Sequence, residues 1–237
     1  MLTADCFPMY PVTQSQASFI SGGKSIRLDS FLPSANGKAF PAVVALHGSG
    51  GGHTTMSEPA TLLARHGFAV YVLHYFDRTG TTFADKQTIF RNFPLWMKTL
   101  WDALSHVEKQ ALVDPKRIGL LGFSLGAYLS LSNAGIDSRV QAVVEFFGGL
   151  PKEMKLFVRR IPPVLILHGE SDPTVPVEEA YHLQQVLEGK GVPYEMQVYP
   201  GIGHSFTGGI WRDAGLRTLA FLKKHLGQSS DSSGTQV

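Results

Sequence analysis

The stretch IGLLGFSLGAYLSLSNA, residues 118 to 134, constrains the fold more than any other part of the chain. Six apolar or glycine residues run straight into Ser124, which stands between Gly122 and Gly126, and a helical stretch follows at once. A continuous apolar run of that length suits a strand buried on both faces. Glycines on either side of the serine allow a strand-to-helix turn sharp enough to lift the hydroxyl out of the backbone. The G-x-S-x-G pattern alone is a weak signal, and its position between strand and helix is what gives it weight.

The same alternation repeats along the chain. Buried-strand candidates are Ala42 to Leu46, Ala69 to Leu73, Ile118 to Phe123, Ala142 to Phe147, Val164 to Leu167 and Tyr194 to Tyr199. Between them the spacing predicts helices at Glu58 to His66, Pro94 to Leu112, Leu125 to Ala134, Val177 to Glu188 and Trp211 to Leu226. In the second of these Met97, Leu100, Trp101, Leu104 and Val107 form the apolar stripe. Ahead of the first run, residues 17 to 33 read as a hairpin turning at Ser21 to Lys24. The expectation is an α/β fold with a mostly parallel sheet. Its organisation is an N-terminal extension over 1–16, one domain over 17–226 and a disordered polar tail over 227–237.

Composition narrows the partners. The 237 residues carry 21 basic and 19 acidic side chains, a net charge of only +2, so nothing asks for nucleic acid or an anionic membrane. One cysteine, Cys6, rules out an internal disulfide and any cysteine-based metal cluster. The first residues lack a basic and then apolar leader, and no run approaches the ~18 apolar residues of a membrane span. The expected location is therefore cytoplasmic.

A serine hydroxyl is a poor nucleophile unless a histidine takes its proton, and the histidine needs an acid to fix its tautomer. On a sheet of this kind the partners follow the serine in the order acid, histidine, each after a later strand. Asp172 stands in HGESDPTVP after the fifth apolar run, and His204 stands in PGIGHSF after the sixth. Glu170 competes as the acid, but the Asp-Pro turn favours Asp172. Of nine histidines, only His204 occupies the loop directly after the last strand.

Acyl transfer also needs donors for an oxyanion. The backbone N–H of Leu125 supplies one, and the loop HGSGGGH at residues 47 to 53 supplies the other through Ser49, with Gly50 as the alternative. That loop lacks the G-K-[ST] of a phosphate cradle. Tyr75 and Arg78 after the second central run, with Gly50 and Phe147, are candidate pocket residues; a solvated loop with one buried aromatic is the equal alternative for the first two. Phe146, Phe147 and Trp211 could wall an acyl site, with core packing the favoured reading for all three, and Glu145 interrupts an apolar strand and needs a partner if buried. No histidine or carboxylate group has metal-ligand spacing, so neither cofactor nor metal is expected.

The elbow GFSLG, the acid loop, the histidine loop and HGSGGG, in this order over residues 17 to 226, resemble the α/β-hydrolase fold and specifically the dienelactone hydrolase family. The resemblance implies a three-layer sandwich, and the short Gly148 to Pro163 interval implies a minimal cap and an open site. The family's namesakes carry a cysteine in the elbow, partnered by a glutamate from the early strands. Here the elbow holds Ser124 and no glutamate precedes Glu58. The resemblance also sets Arg78 against an arginine that holds a substrate carboxylate. The reading implied is a serine esterase acting on small to medium carboxylic esters. The alternatives are a thioesterase, a dienelactone-type lactone hydrolase, or a binding protein that keeps the elbow without turnover.

Overall fold

In the computed structural model, residues 9–35, 38–156, 158 and 160–227 are described. The apolar runs become strands because each is flanked by a turn and has side chains that can be buried on both faces. In chain order the elements are β1 (Val12–Ser21), β2 (Lys24–Pro33), β3 (Phe40–Leu46), α1 (Ser57–Arg65), β4 (Ala69–Leu73), α2 (Lys86–Val107) and β5 (Val113–Phe123). Then come α3 (Leu125–Ala134), β6 (Val140–Phe146), β7 (Val164–Gly169), α4 (Glu178–Gly189), β8 (Tyr194–Tyr199) and α5 (Gly208–Leu226).

One eight-stranded sheet has the order β1-β2-β4-β3-β5-β6-β7-β8. The strands from β3 to β8 run parallel, while β2 joins β4 antiparallel and pairs with β1 through the hairpin. That hairpin turns at Ser21 and Lys24, where Gly22 and Gly23 take φ of 50° and 76°, the left-handed pair a two-residue turn requires. Strand β1 begins at Val12, paired with Pro33, so the sheet reaches into the segment expected to be an extension. The predicted tail beyond residue 227 lies outside the described residues.

The sheet carries a core on each face. Val43, Ala45, Val70 and Val72 pack against Met56, Leu63 and Phe221 on the side of α1 and α5. Val44, Leu46, Tyr71 and Ile166 pack against residues of α2, α3 and α4. This is the three-layer sandwich expected from the sequence. Between β6 and β7 a single short helical turn, Lys152–Leu156, is the regular structure among the described residues, in keeping with a minimal cap. Among the described residues no helix is long and apolar enough to cross a membrane.

The long helix departs from expectation. It starts at Lys86 rather than Pro94, because Asp85 caps it by accepting the Thr88 N–H at 2.8 Å. Pro94 is exposed and lies within the helix, where it has no N–H to donate to the carbonyl one turn back. The buried stripe accordingly centres on Trp96, Leu100, Leu104 and Val107, and Trp101 is 46% exposed. Lys98 and Arg139 cover the Trp101 ring instead, at 4.6 and 5.1 Å.

The chain places β4 on one side of β3 and β5 on the other. At that switch point the loops leaving the carboxyl ends of β3 and β5 diverge to opposite faces and open a crevice. Every candidate site residue follows the carboxyl end of a parallel strand.

Candidate active site

Ser124 sits between β5 and α3 with φ 52° and ψ −118°, a backbone conformation costing a non-glycine residue about 1–3 kcal/mol. Its neighbours hold it there. A Cβ at Gly122 would lie 2.3 Å from the Gly126 carbonyl oxygen, and one at Gly126 would lie 2.4 Å from that of Leu46. Only glycines permit this crossing, which is the physical content of the G-x-S-x-G spacing. The Ser124 N–H donates to the Phe146 carbonyl at 2.8 Å, tying the elbow to the end of β6.

The structure brings Ser124, His204 and Asp172 together from three separate loops. Ser124 Oγ lies 3.0 Å from His204 Nε2, and His204 Nδ1 lies 2.6 Å from Asp172 Oδ2. Because the carboxylate accepts from Nδ1–H, Nε2 is left as the acceptor for the serine proton. The Asp172 side chain is fully buried, and its second oxygen accepts the N–H groups of Thr174 and Val175 at 2.8 and 2.9 Å. Glu170, the competing acid, is exposed and accepts the Gly201 N–H at 3.2 Å.

His168 braces the acid loop from below. Its Nε2–H donates to the Val175 carbonyl at 2.9 Å, and burial lowers its pKa, so it is a neutral prop and not a second base. The sequence showed it only as a strand-end histidine; its register one residue past Leu167 was the available signal.

Around the proposed oxyanion site, Leu125 is the first residue of α3, so its N–H has no acceptor within the helix. The loop after β3 passes close by: a Cβ on Gly48 would be 3.3 Å from Ser124 Cβ. Ser49 follows, its carbonyl accepting the Ala84 N–H at 2.9 Å. Gly50 lines a hollow of about 220 Å³ together with His47, Gly48, Met56 and Phe123.

Three expected pocket residues do other work. Tyr75 is fully buried and donates its hydroxyl to the His47 carbonyl at 2.8 Å, with the two rings stacked at 4.3 Å. It supports the glycine loop from beneath, because register Leu46 to Leu73 sets the segments after β3 and β4 side by side. Arg78 reaches away from the crevice to the β1–β2 turn, donating to the carbonyls of Ser21 at 3.1 Å and Gly22 at 2.5 Å. Phe147 is buried, with its ring 5.2 Å from that of His204 and 4.5 Å from that of Phe206, so it backs the imidazole instead of lining the opening. Phe146 lies in the core, as expected, and Trp211 packs on its edge.

A parallel sheet with a switch-point crevice, a strained serine elbow and an acid and histidine after the last two strands is the α/β-hydrolase fold. The model of the dienelactone hydrolase family matches residues 28–210. The chain belongs to that family. A provisionally named carboxymethylenebutenolidase of Yersinia pestis is 29% identical over 114 residues, 44% of this chain and 43% of that protein. One of Salmonella typhimurium is 27% identical over 191 residues, 73% of this chain and 70% of that protein. Among solved structures, a provisionally named dienelactone hydrolase from Klebsiella pneumoniae superimposes with a TM-score of 0.79 at 20% identity, covering 91% of this chain and all of that one.

Proposed function

We propose that the protein is a cytoplasmic, cofactor-independent serine hydrolase of small to medium carboxylic esters. The observation that carries the reading is the unbroken hydrogen-bonded line from Ser124 Oγ through both nitrogens of His204 to Asp172. In this reading Ser124 Oγ attacks the ester carbon as His204 Nε2 takes its proton. Asp172 holds the imidazole and balances the imidazolium. The Leu125 and Ser49 N–H groups take the oxyanion charge. His204 then protonates the departing alcohol as its C–O bond breaks, and water, activated by the same histidine, releases the acid from Ser124.

The small hollow beside the glycine loop suits a compact group on the substrate. Dienelactone, whose carboxylate would need a cationic partner, is disfavoured because Arg78 is committed to the β1–β2 turn. The test is hydrolysis of a p-nitrophenyl ester series from acetate to long chains, run beside matched thioesters and lactones. Ser124→Ala is expected to remove at least about a thousandfold of the rate on the preferred ester. A wild type inert on all three classes, or a substituted enzyme that keeps its rate, refutes this assignment.

A further inference from the structure

Glu145 is fully buried in the middle of the sheet, between Gly122 on β5 and Ile166 on β7. Its Oε2 accepts the Gly148 N–H at 2.8 Å, and its Oε1 has no partner among the described residues. A carboxyl group placed so carries a heavy desolvation cost, and nothing in the reaction above uses it.

Its one bond closes the turn that follows β6, and that turn touches the serine elbow, the histidine ring and α3. The Phe146 carbonyl accepts the Ser124 N–H. Phe147, held at φ 54°, lays its ring beside His204. Gly148 lies flush on the first turn of α3, where a Cβ would stand 2.3 Å from that of Ala127. A left-handed phenylalanine persists only where its surroundings over-determine it. The Phe147 N–H donates to the Leu167 carbonyl at 3.0 Å, and the Glu145 carboxyl fixes the residue that follows it.

We propose that Glu145 is a positioning residue for the hydrolytic reaction: its carboxyl latches the turn Phe146–Gly148, and through that turn sets the nucleophile and the base together. The inference rests on the serine-hydrolase reading. The titratable groups around the latch are Tyr128 on α3, Glu179 on α4, His168 on β7 and Asp172 in the acid loop. Burial and the charges of Glu179, Glu145 and Asp172 raise the Tyr128 phenol, and burial lowers His168, so none of the four is a cation at neutral pH. Burial, opposed only by the Gly148 N–H, pushes Glu145 up to about 8. The latch is therefore a neutral acid at pH 7, and ionisation above that range puts an unpaired charge into a dry turn.

The experiment is kcat and KM for p-nitrophenyl acetate from pH 6 to 10 in the wild type, Glu145→Gln and Glu145→Ala, with Ser124 labelling by a fluorophosphonate. The wild type is expected to lose kcat/KM above about pH 8 and Glu145→Gln to lack that decline. Glu145→Ala is expected to lose about 30- to 100-fold in kcat with little change in KM. Superimposed pH profiles for wild type and Glu145→Gln overturn the proposal, as does a folded Glu145→Ala with wild-type kcat. If Glu145→Ala does not fold, the Glu145→Gln profile alone decides. A wild type that neither hydrolyses ester nor labels overturns the hydrolase reading as well; hydrolysis with superimposed profiles overturns the latch alone.

Discussion

The two sides of Ser124 are built on opposite plans. Towards β7 and β8 the site consists of functional side chains, with Asp172 and His204 each held by hydrogen bonds at 2.6 to 3.0 Å. Towards β3 and β4 it consists of glycine backbone, and the side chains that matter lie underneath it: His47, Tyr75, Phe76 and Trp96 form an aromatic bed of stacked, edge-on and tilted rings below the loop. Under the proposed reaction the difference follows from what each side would handle. Proton transfer needs groups with lone pairs in fixed tautomers, whereas an oxyanion needs N–H groups held close to it, and close approach excludes side chains. A site residue can therefore be conspicuous on one side and invisible on the other.

Substitutions on the two sides should differ accordingly. Asp172→Asn keeps the shape but can turn an N–H towards His204 Nδ1, and is expected to lower kcat by about a thousandfold or more, read in the same p-nitrophenyl assay. If it costs no more than a substitution beneath the glycine loop, the two sides are not distinct in kind. Tyr75→Phe should cost roughly tenfold in kcat and about 1 kcal/mol of stability, because the buried hydrogen bond from the Tyr75 hydroxyl to the His47 carbonyl is lost. Unchanged kcat with lowered stability would make the aromatic bed purely structural.

A pH-dependent effect concerns the latch. Native Glu145 holds its proton up to about pH 8, while the unfolded chain releases it near 4.5. Between those values the unfolded state binds fewer protons, so the protonated latch contributes full stability below about 4.5 and loses it as pH rises towards 8, at up to about 1.4 kcal/mol per pH unit. The melting temperature of Glu145→Gln should therefore gain on that of the wild type from pH 5 to 8 and then level off. A constant gap would show that the carboxyl does not titrate in that window. The smallest effect is expected from Arg78→Met, which loosens the β1–β2 turn by about 1–2 kcal/mol and leaves the ratio of anionic to neutral ester hydrolysis unchanged. A fall in that ratio would return Arg78 to the pocket.

The arrangement of Ser124, Asp172 and His204 was legible in the sequence because each follows a strand whose length and apolar run are local properties. Strands β4 and β8 and helix α3 match their predicted limits for the same reason. Helix α2 did not, since Pro94 reads as a helix start unless Asp85 is seen capping an earlier turn. Tyr75, Arg78 and Phe147 were assigned to the right end of the sheet, with their work left open between pocket, loop and core. Their position in the chain sets which end of a strand they follow; whether the side chain turns to the crevice, the core or a neighbouring hairpin depends on contacts with residues 28 to 59 positions away.

By itself the sequence determined the alternation of strands and helices, the strained serine elbow and the order of acid and histidine, all of which depend on spacing and on glycines that no other residue replaces. Only the tertiary structure decided that Arg78 serves the β1–β2 turn, that Tyr75 supports the glycine loop, and that Glu145 is a buried acid closing the turn beside Ser124 and His204. Those roles are set by desolvation and by partners brought close through the sheet, and neither quantity exists until the chain has folded.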